Sequence, residues 1–261
     1  MLFDLRGKRK RFIQVIYALL AVLMGGGLIF FGIGSDVQGG LFDAFSDSSG
    51  SGSSFSSDAD EVEKKLKKDP NNEDLLAQLV RLRYTAGNSG IQVDSSGRQV
   101  VTADARGEFE KAADAWDRYL KAAQGEPNPN VAQLAANLSF LLAQTSTGAD
   151  EADANLERAA EAQKVVAQNR PSVGSLSTLS TYLYFTLDFK GGDAAKQKAL
   201  AEAPSKGQRK SVEQQLASVR KSAKAFEKQQ QAAKKASGKQ GGEALENPLG
   251  GLSGGGSPTA P

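Results

Sequence analysis

Ser218 and Lys221 stand three residues apart, the Ser-x-x-Lys spacing that sets a hydroxyl within one helical turn of an amine able to take its proton. The Ser-Asp-Asn and Lys-Thr-Gly segments that accompany this pair in acyl-transfer enzymes do not occur in the chain, so the spacing by itself reads as helix surface. Four carboxylates gather at Asp150, Glu151, Asp153 and Glu157. Their place at the start of a helical stretch accounts for them, because the positive end of the helix dipole favours acids in the first turn. Asp47, Ser49, Ser51, Gly52 and Asp58 imitate the spacing of a calcium loop. That set supplies only two carboxylates, closes on Asp rather than Glu and has no helix leading in.

Histidine and cysteine are both absent. Their absence removes Ser-His-Asp and Cys-His nucleophile pairs, thiolate or imidazole metal sites, disulfides and a lipidated cysteine anchor from this chain. No catalytic role, no cofactor and no metal are therefore expected, and binding is the class of function left.

The elements begin with residues 12–33, 22 positions without a charge. As a helix rising about 1.5 Å per residue they would span roughly 33 Å, enough for a hydrocarbon core of about 30 Å. Arg6, Lys8, Arg9, Lys10 and Arg11 precede the run, and no Lys or Arg follows it until Lys64. The positive-inside rule then predicts a single-pass anchor in the cell membrane, with residues 1–11 cytoplasmic and everything after residue 34 extracytoplasmic. The formal net charge of +2 hides a partition: +4 before the run, −5 over 36–60, −3 over 61–204 and +8 over 205–240. Each segment has its own electrostatic character.

Residues 34–57 are Gly/Ser-rich and read as a flexible linker. Helical periodicity starts at Asp58, which with Glu61 forms a capping-box spacing. It continues through Leu75, Leu76, Leu79 and Leu82, capped by Asn72 after the Asp69-Pro70-Asn71 stop. Residues 88–107 break the pattern, and Ile91, Val93, Val100 and Val101 around Ser95-Ser96-Gly97 predict a small hairpin or an irregular excursion. Phe109, Ala112, Ala113, Trp116, Tyr119 and Leu120 mark one face of a third helix over 108–123, which Glu126-Pro127-Asn128-Pro129-Asn130 breaks. Four further helices are predicted over 131–144, 150–168, 175–188 and 194–203. A long basic helix follows over 205–236, with Val212, Leu216, Val219, Ala223 and Phe226 as a narrow apolar stripe, and then a disordered Gly/Pro-rich tail over 237–261.

Pro70, Pro127, Pro171 and Pro204 recur at intervals of 57, 44 and 33 residues, the last close to a 34-residue unit and the others reaching it once insertions are removed. In this setting the chain resembles the tetratricopeptide-repeat family. Asp69-Pro70-Asn71-Asn72 is similar to its inter-repeat turn, Leu76, Leu79 and Gly87 to its first helix, and Phe109, Ala112 and Trp116 to its second. Leu156, Ala159, Val166 and Pro171 match a further second helix. Leu176, Leu179, Ser180 and Leu183 match a further first helix, closed by Ala199 and Pro204. Val80 departs from the small residue usual at its position, and Gly191-Gly192 interrupt where a helix residue is expected. The layout is also similar to uncharacterised membrane-anchored repeat proteins of high-GC Gram-positive bacteria.

The resemblance implies an all-α fold: a transmembrane helix, then a TPR-like α-solenoid of about three helix pairs over 58–204, closed by the 205–236 helix as a cap. It implies a scaffold binding protein or peptide partners on a concave face lined by Gln78, Arg81, Tyr84, Gln133, Ser139, Thr181 and Tyr184. An alternative of the same kind is an accessory or chaperone-like factor of secretion or envelope assembly. The 205–236 helix, nine Lys or Arg against two Glu, suits an anionic lipid surface, and nucleic acid is not expected outside the membrane.

Overall fold

The computed structural model describes residues 52–95 and 99–246, and there the chain is all-α apart from one hairpin. The eight helices are α1 (Gly52–Leu66), α2 (Glu73–Ser89), α3 (Ala103–Ala122), α4 (Pro129–Thr145), α5 (Ala149–Asn169), α6 (Val173–Phe185), α7 (Phe189–Glu202) and α8 (Lys206–Glu246). Strands β1 (Ile91–Val93) and β2 (Gln99–Val101) pair antiparallel between α2 and α3, with Ile91 opposite Val101. The expected 88–107 excursion is shorter than those bounds: α2 runs on to Ser89 and α3 begins at Ala103, and between them lies a hairpin whose Ile91 and Val101 pack on Phe109, Leu138 and Leu142.

Side chains with free oxygens begin the helices. Asn72 Oδ1 accepts from the Leu75 amide (3.0 Å), Thr102 Oγ1 from Ala105 (3.1 Å) and Asp188 Oδ1 from Gly191 (2.8 Å). Each satisfies a backbone donor that the helix itself leaves open. Ser172 and Ser175 cap each other's amides at the start of α6, and Pro129 enters the first turn of α4, where its missing N–H costs nothing.

Packing follows chain order. The closest associations are α4 with α5, α2 with α3 and α6 with α7, each pair then meeting the next; α1 rests on α2, and α8 crosses α6 and α7. Across the pairs, α2 meets α4, and the Phe140 ring of α4 stacks on Tyr182 of α6 at 5.1 Å. Val212, Leu216, Val219 and Ala223 of α8 are buried against Leu176, Leu179 and Phe185, so the apolar stripe of α8 closes the last pair.

Several expectations need correction. The linker does not last to residue 57: α1 starts at Gly52, because Phe55 joins Ala59, Val62 and Leu66 of the same helix in a core shared with Leu76, Leu79 and Val80 of α2 and draws the Ser-rich stretch into the helix. Asp58 lies inside that helix and caps nothing. Gly191 and Gly192 do not interrupt α7 but form its first turn. The last helix runs to Glu246, ten residues beyond its expected end, so the expected tail is helical over 237–246. The anchor at 12–33, the segments 1–11 and 34–51 and the rest of the tail lie outside the described residues. Among the described residues no helix is long and apolar enough to cross a membrane.

Candidate functional site

A cleft of about 740 Å³ opens where the start of α2, the end of α3 and the turn into α4 converge. Glu73, Asp74, Ala77, Gln78, Arg81 and Leu82 line it from successive turns of α2; Tyr119, Glu126, Asn128 and Pro129 line the other side. The Asn72 cap fixes where α2 starts, and so sets Glu73 and Asp74 at the mouth. Glu126-Pro127-Asn128-Pro129-Asn130, which the sequence offers only as a helix breaker, folds back to form the opposite wall.

Tyr119 holds the two walls together. Its ring is buried, 5.5 Å from Trp116, and its hydroxyl accepts the Asn128 amide at 2.8 Å. Burial raises the pKa of this hydroxyl above its usual 10.0; the Asn128 bond opposes the rise, and the negative charge of the nearby Glu73 carboxylate adds to it. Three carboxylates and one guanidinium line the cleft, which therefore favours a ligand carrying positive charge while keeping one cationic contact.

No family model, no curated protein and no solved structure matches this chain.

The seven residues expected on the binding face divide in two. Gln78 is exposed and Arg81 half-buried, both in the cleft. Tyr84 lies one turn further along α2, half-buried with its ring 5.9 Å from Phe109 and its hydroxyl close to Asn137 of α4. Gln133 donates from Nε2 to Asn137 Oδ1 at 3.1 Å. These four residues thus share one side of α2 and α4, with Asn137 as the link.

Ser139, Thr181 and Tyr184 are buried, which removes them from any open face. Ser139 Oγ has no hydrogen-bond partner, Thr181 donates to the Ser177 carbonyl (3.0 Å), and the Tyr184 hydroxyl donates to Asp193 (2.8 Å). Ser139 lies on α4, which is packed between α3 and α5; for the two residues on α6 the physical reason is α8. Reading α6 as the first helix of a pair leaves one side of it free, whereas α8 lies across α6 and α7 and makes α6 an interior helix.

Glu73, Asp74, Tyr119, Glu126 and Asn128 were not expected at the site. Nothing local signals them, since acids in a first turn and an Asn-Pro break have ordinary helix-boundary explanations. Glu151 of the Asp150 cluster pairs with Arg106, and Ser218 and Lys221 are both exposed on α8. Among the described residues no group of three or more His, Cys, Asp or Glu could hold a metal ion.

Proposed function

We propose that the chain is a membrane-tethered scaffold of the tetratricopeptide kind, an α-solenoid that captures extended protein segments on the extracytoplasmic side. The observation that carries this reading is the common side of α2 and α4, where Gln78, Arg81, Tyr84 and Gln133 gather beside the polar cleft. Helical pairs stacked in chain order leave such sides open because each pair buries only the surfaces it shares with its neighbours. The preferred segment carries a basic side chain for Glu73, Asp74 and Glu126, with backbone carbonyls for the Gln78 amide and Arg81. A polar rim with few aromatic contacts suits reversible capture.

The test replaces exposed or half-exposed cleft residues, so that folding is spared. In membranes, the Gln78→Ala, Arg81→Ala, Glu126→Gln variant should lose its crosslinks to partner proteins while its helical content and Tm stay unchanged. A full crosslinking pattern from this variant would show that the cleft is not the site.

A further inference from the structure

Five lysines of α8 occupy one side of the helix. Lys206, Lys210, Lys221, Lys224 and Lys228 are all exposed, and with exposed Ala217 they recur at 4, 7, 4, 3 and 4, the spacing of a single face. The buried residues Val212, Leu216, Val219 and Ala223 recur at 4, 3 and 4 on a different face, pressed onto α6 and α7. Arg209-Lys210-Ser211-Val212 returns as Arg220-Lys221-Ser222-Ala223 eleven residues later, about three turns, so the pattern repeats along the rod in register.

Arg220 is committed inward, to Asp193, and Lys224 lies over the Phe189 ring at 5.8 Å. Lys206, Lys210, Lys221 and Lys228 have no ion-pair partner among the described residues, and only Glu213 and Glu227 oppose them on this helix over 205–240. The helix is about 60 Å long against about 20 Å for α7, so it extends past the pair it caps. Lys234, Lys235 and Lys239 continue the basic sequence within the same helix.

We infer that the exposed basic face of α8 docks on an anionic bilayer. This rests on the tether reading of residues 12–33. On that reading only 18 residues separate the anchor from α1, so the domain stays near the surface and meets it at high effective concentration. The apolar stripe of α8 is spent on α6 and α7, so the contact is electrostatic: ammonium groups on lipid phosphates, with no insertion. With α1 at one end of the stack and α8 at the other, the domain is held at both ends.

The chain has no cysteine, so a single Ala217→Cys substitution puts a fluorescent donor in the middle of the basic face. The full chain is reconstituted in zwitterionic vesicles carrying an acceptor lipid, and in the same vesicles with phosphatidylglycerol added. Transfer should be about twofold higher with the anionic lipid and fall back in 1 M salt, where the screening length is about 3 Å. The gain should vanish in the variant with Lys206, Lys210, Lys221 and Lys228 all changed to Gln. Equal transfer in both vesicles, or a gain that survives the four substitutions, overturns the assignment, as does tighter binding of the same chain to duplex DNA or an acidic protein. A chain that does not float with zwitterionic vesicles refutes the tether instead, and flotation with the anionic vesicles alone then decides the basic face.

Discussion

Gly192 lies against the ring of Tyr184 so closely that a Cβ there would come within 2.5 Å of Cδ1. The same carbonyl region is pinned from the other side, where Ser180 Oγ donates to the Gly192 oxygen at 2.8 Å. Two helices approach here at backbone distance, and the Tyr184 ring cannot retreat because its hydroxyl is held by Asp193. Gly192→Ala should destabilise the domain by about 1–3 kcal/mol, the usual penalty for overpacking a fixed core. Gly107 is the control: a Cβ on it meets nothing within 4 Å, so Gly107→Ala in α3 should stabilise by about 0.4–1 kcal/mol. Thermal melts of the two variants should shift in opposite directions, and a shift of the same sign would contradict the packing.

The Tyr184, Asp193 and Arg220 triad makes stability depend on pH at both extremes. Arg220 donates to both Asp193 oxygens, 2.8 and 2.9 Å, and together with the Tyr184 hydroxyl it lowers the Asp193 pKa from 3.8 in spite of partial desolvation. A depressed carboxylate stabilises the fold above pH 3.8 and loses that contribution as pH falls through its lower folded value. Burial and the Asp193 bond push Tyr184 from 10.0 to about 12, so stability falls as pH rises from 10 towards 12, where only the unfolded chain ionises. Asp193→Asn should be less stable than the parent at neutral pH and equal to it once Asp193 is protonated. Urea midpoints measured across the acid range check this; a constant difference down to the most acid point would mean the triad carries no linkage.

Arg83 is an internal tie between three helices. Only 2% of its side chain is exposed; Nη2 bonds Asp60 (2.6 Å) and Glu63 (2.9 Å) of α1, and Nη1 bonds Glu108 (3.0 Å) of α3. Burial alone would lower its pKa, but the three carboxylates outweigh that and raise it above the ordinary guanidinium value. Arg83→Met keeps the stem and leaves Glu108, 15% exposed, with only Lys111. The loss should be about 2–3 kcal/mol, below the 3–5 kcal/mol of a fully buried pair because Asp60 and Glu63 can rehydrate. A cycle with Glu108→Gln should show coupling of about 1 kcal/mol or more, and strictly additive losses would argue against a direct interaction.

Trp116, the single tryptophan, is fully buried, and its Nε1 has no hydrogen-bond partner. Its emission should be strongly blue-shifted in the folded protein. Trp116→Ala should cost about 3–5 kcal/mol through lost burial and the cavity left behind. Trp116→Phe should cost less than half as much, since it keeps a ring and removes an unpaired buried donor. Denaturation followed by circular dichroism separates the two; equal losses would mean that the indole nitrogen has a partner.

The helices were legible because what makes them is local. Asn72, Asn128 and Ser172 cap amides two or three residues away, and the buried faces of α2 and α3 recur within four residues, so both signals lie inside a short window of sequence. Gln78, Arg81 and Tyr84 share one side of α2 for the same reason, since spacing within a single helix sets which side a residue takes.

What the sequence by itself determined about this protein is its class: an all-helical chain with an uncharged run, a charge partition and no imidazole or thiol chemistry. Tertiary structure alone decided which sides stay open. Phe55 finds its core partners in a neighbouring helix and converts linker composition into α1. Helix α8 covers α6 and takes Thr181 and Tyr184 out of solvent. The cleft joins Glu73 and Arg81 to Glu126 and Asn128, residues more than 40 positions apart. Burial and cleft formation depend on surfaces meeting across the chain, and no spacing within a single helix encodes which partner will arrive.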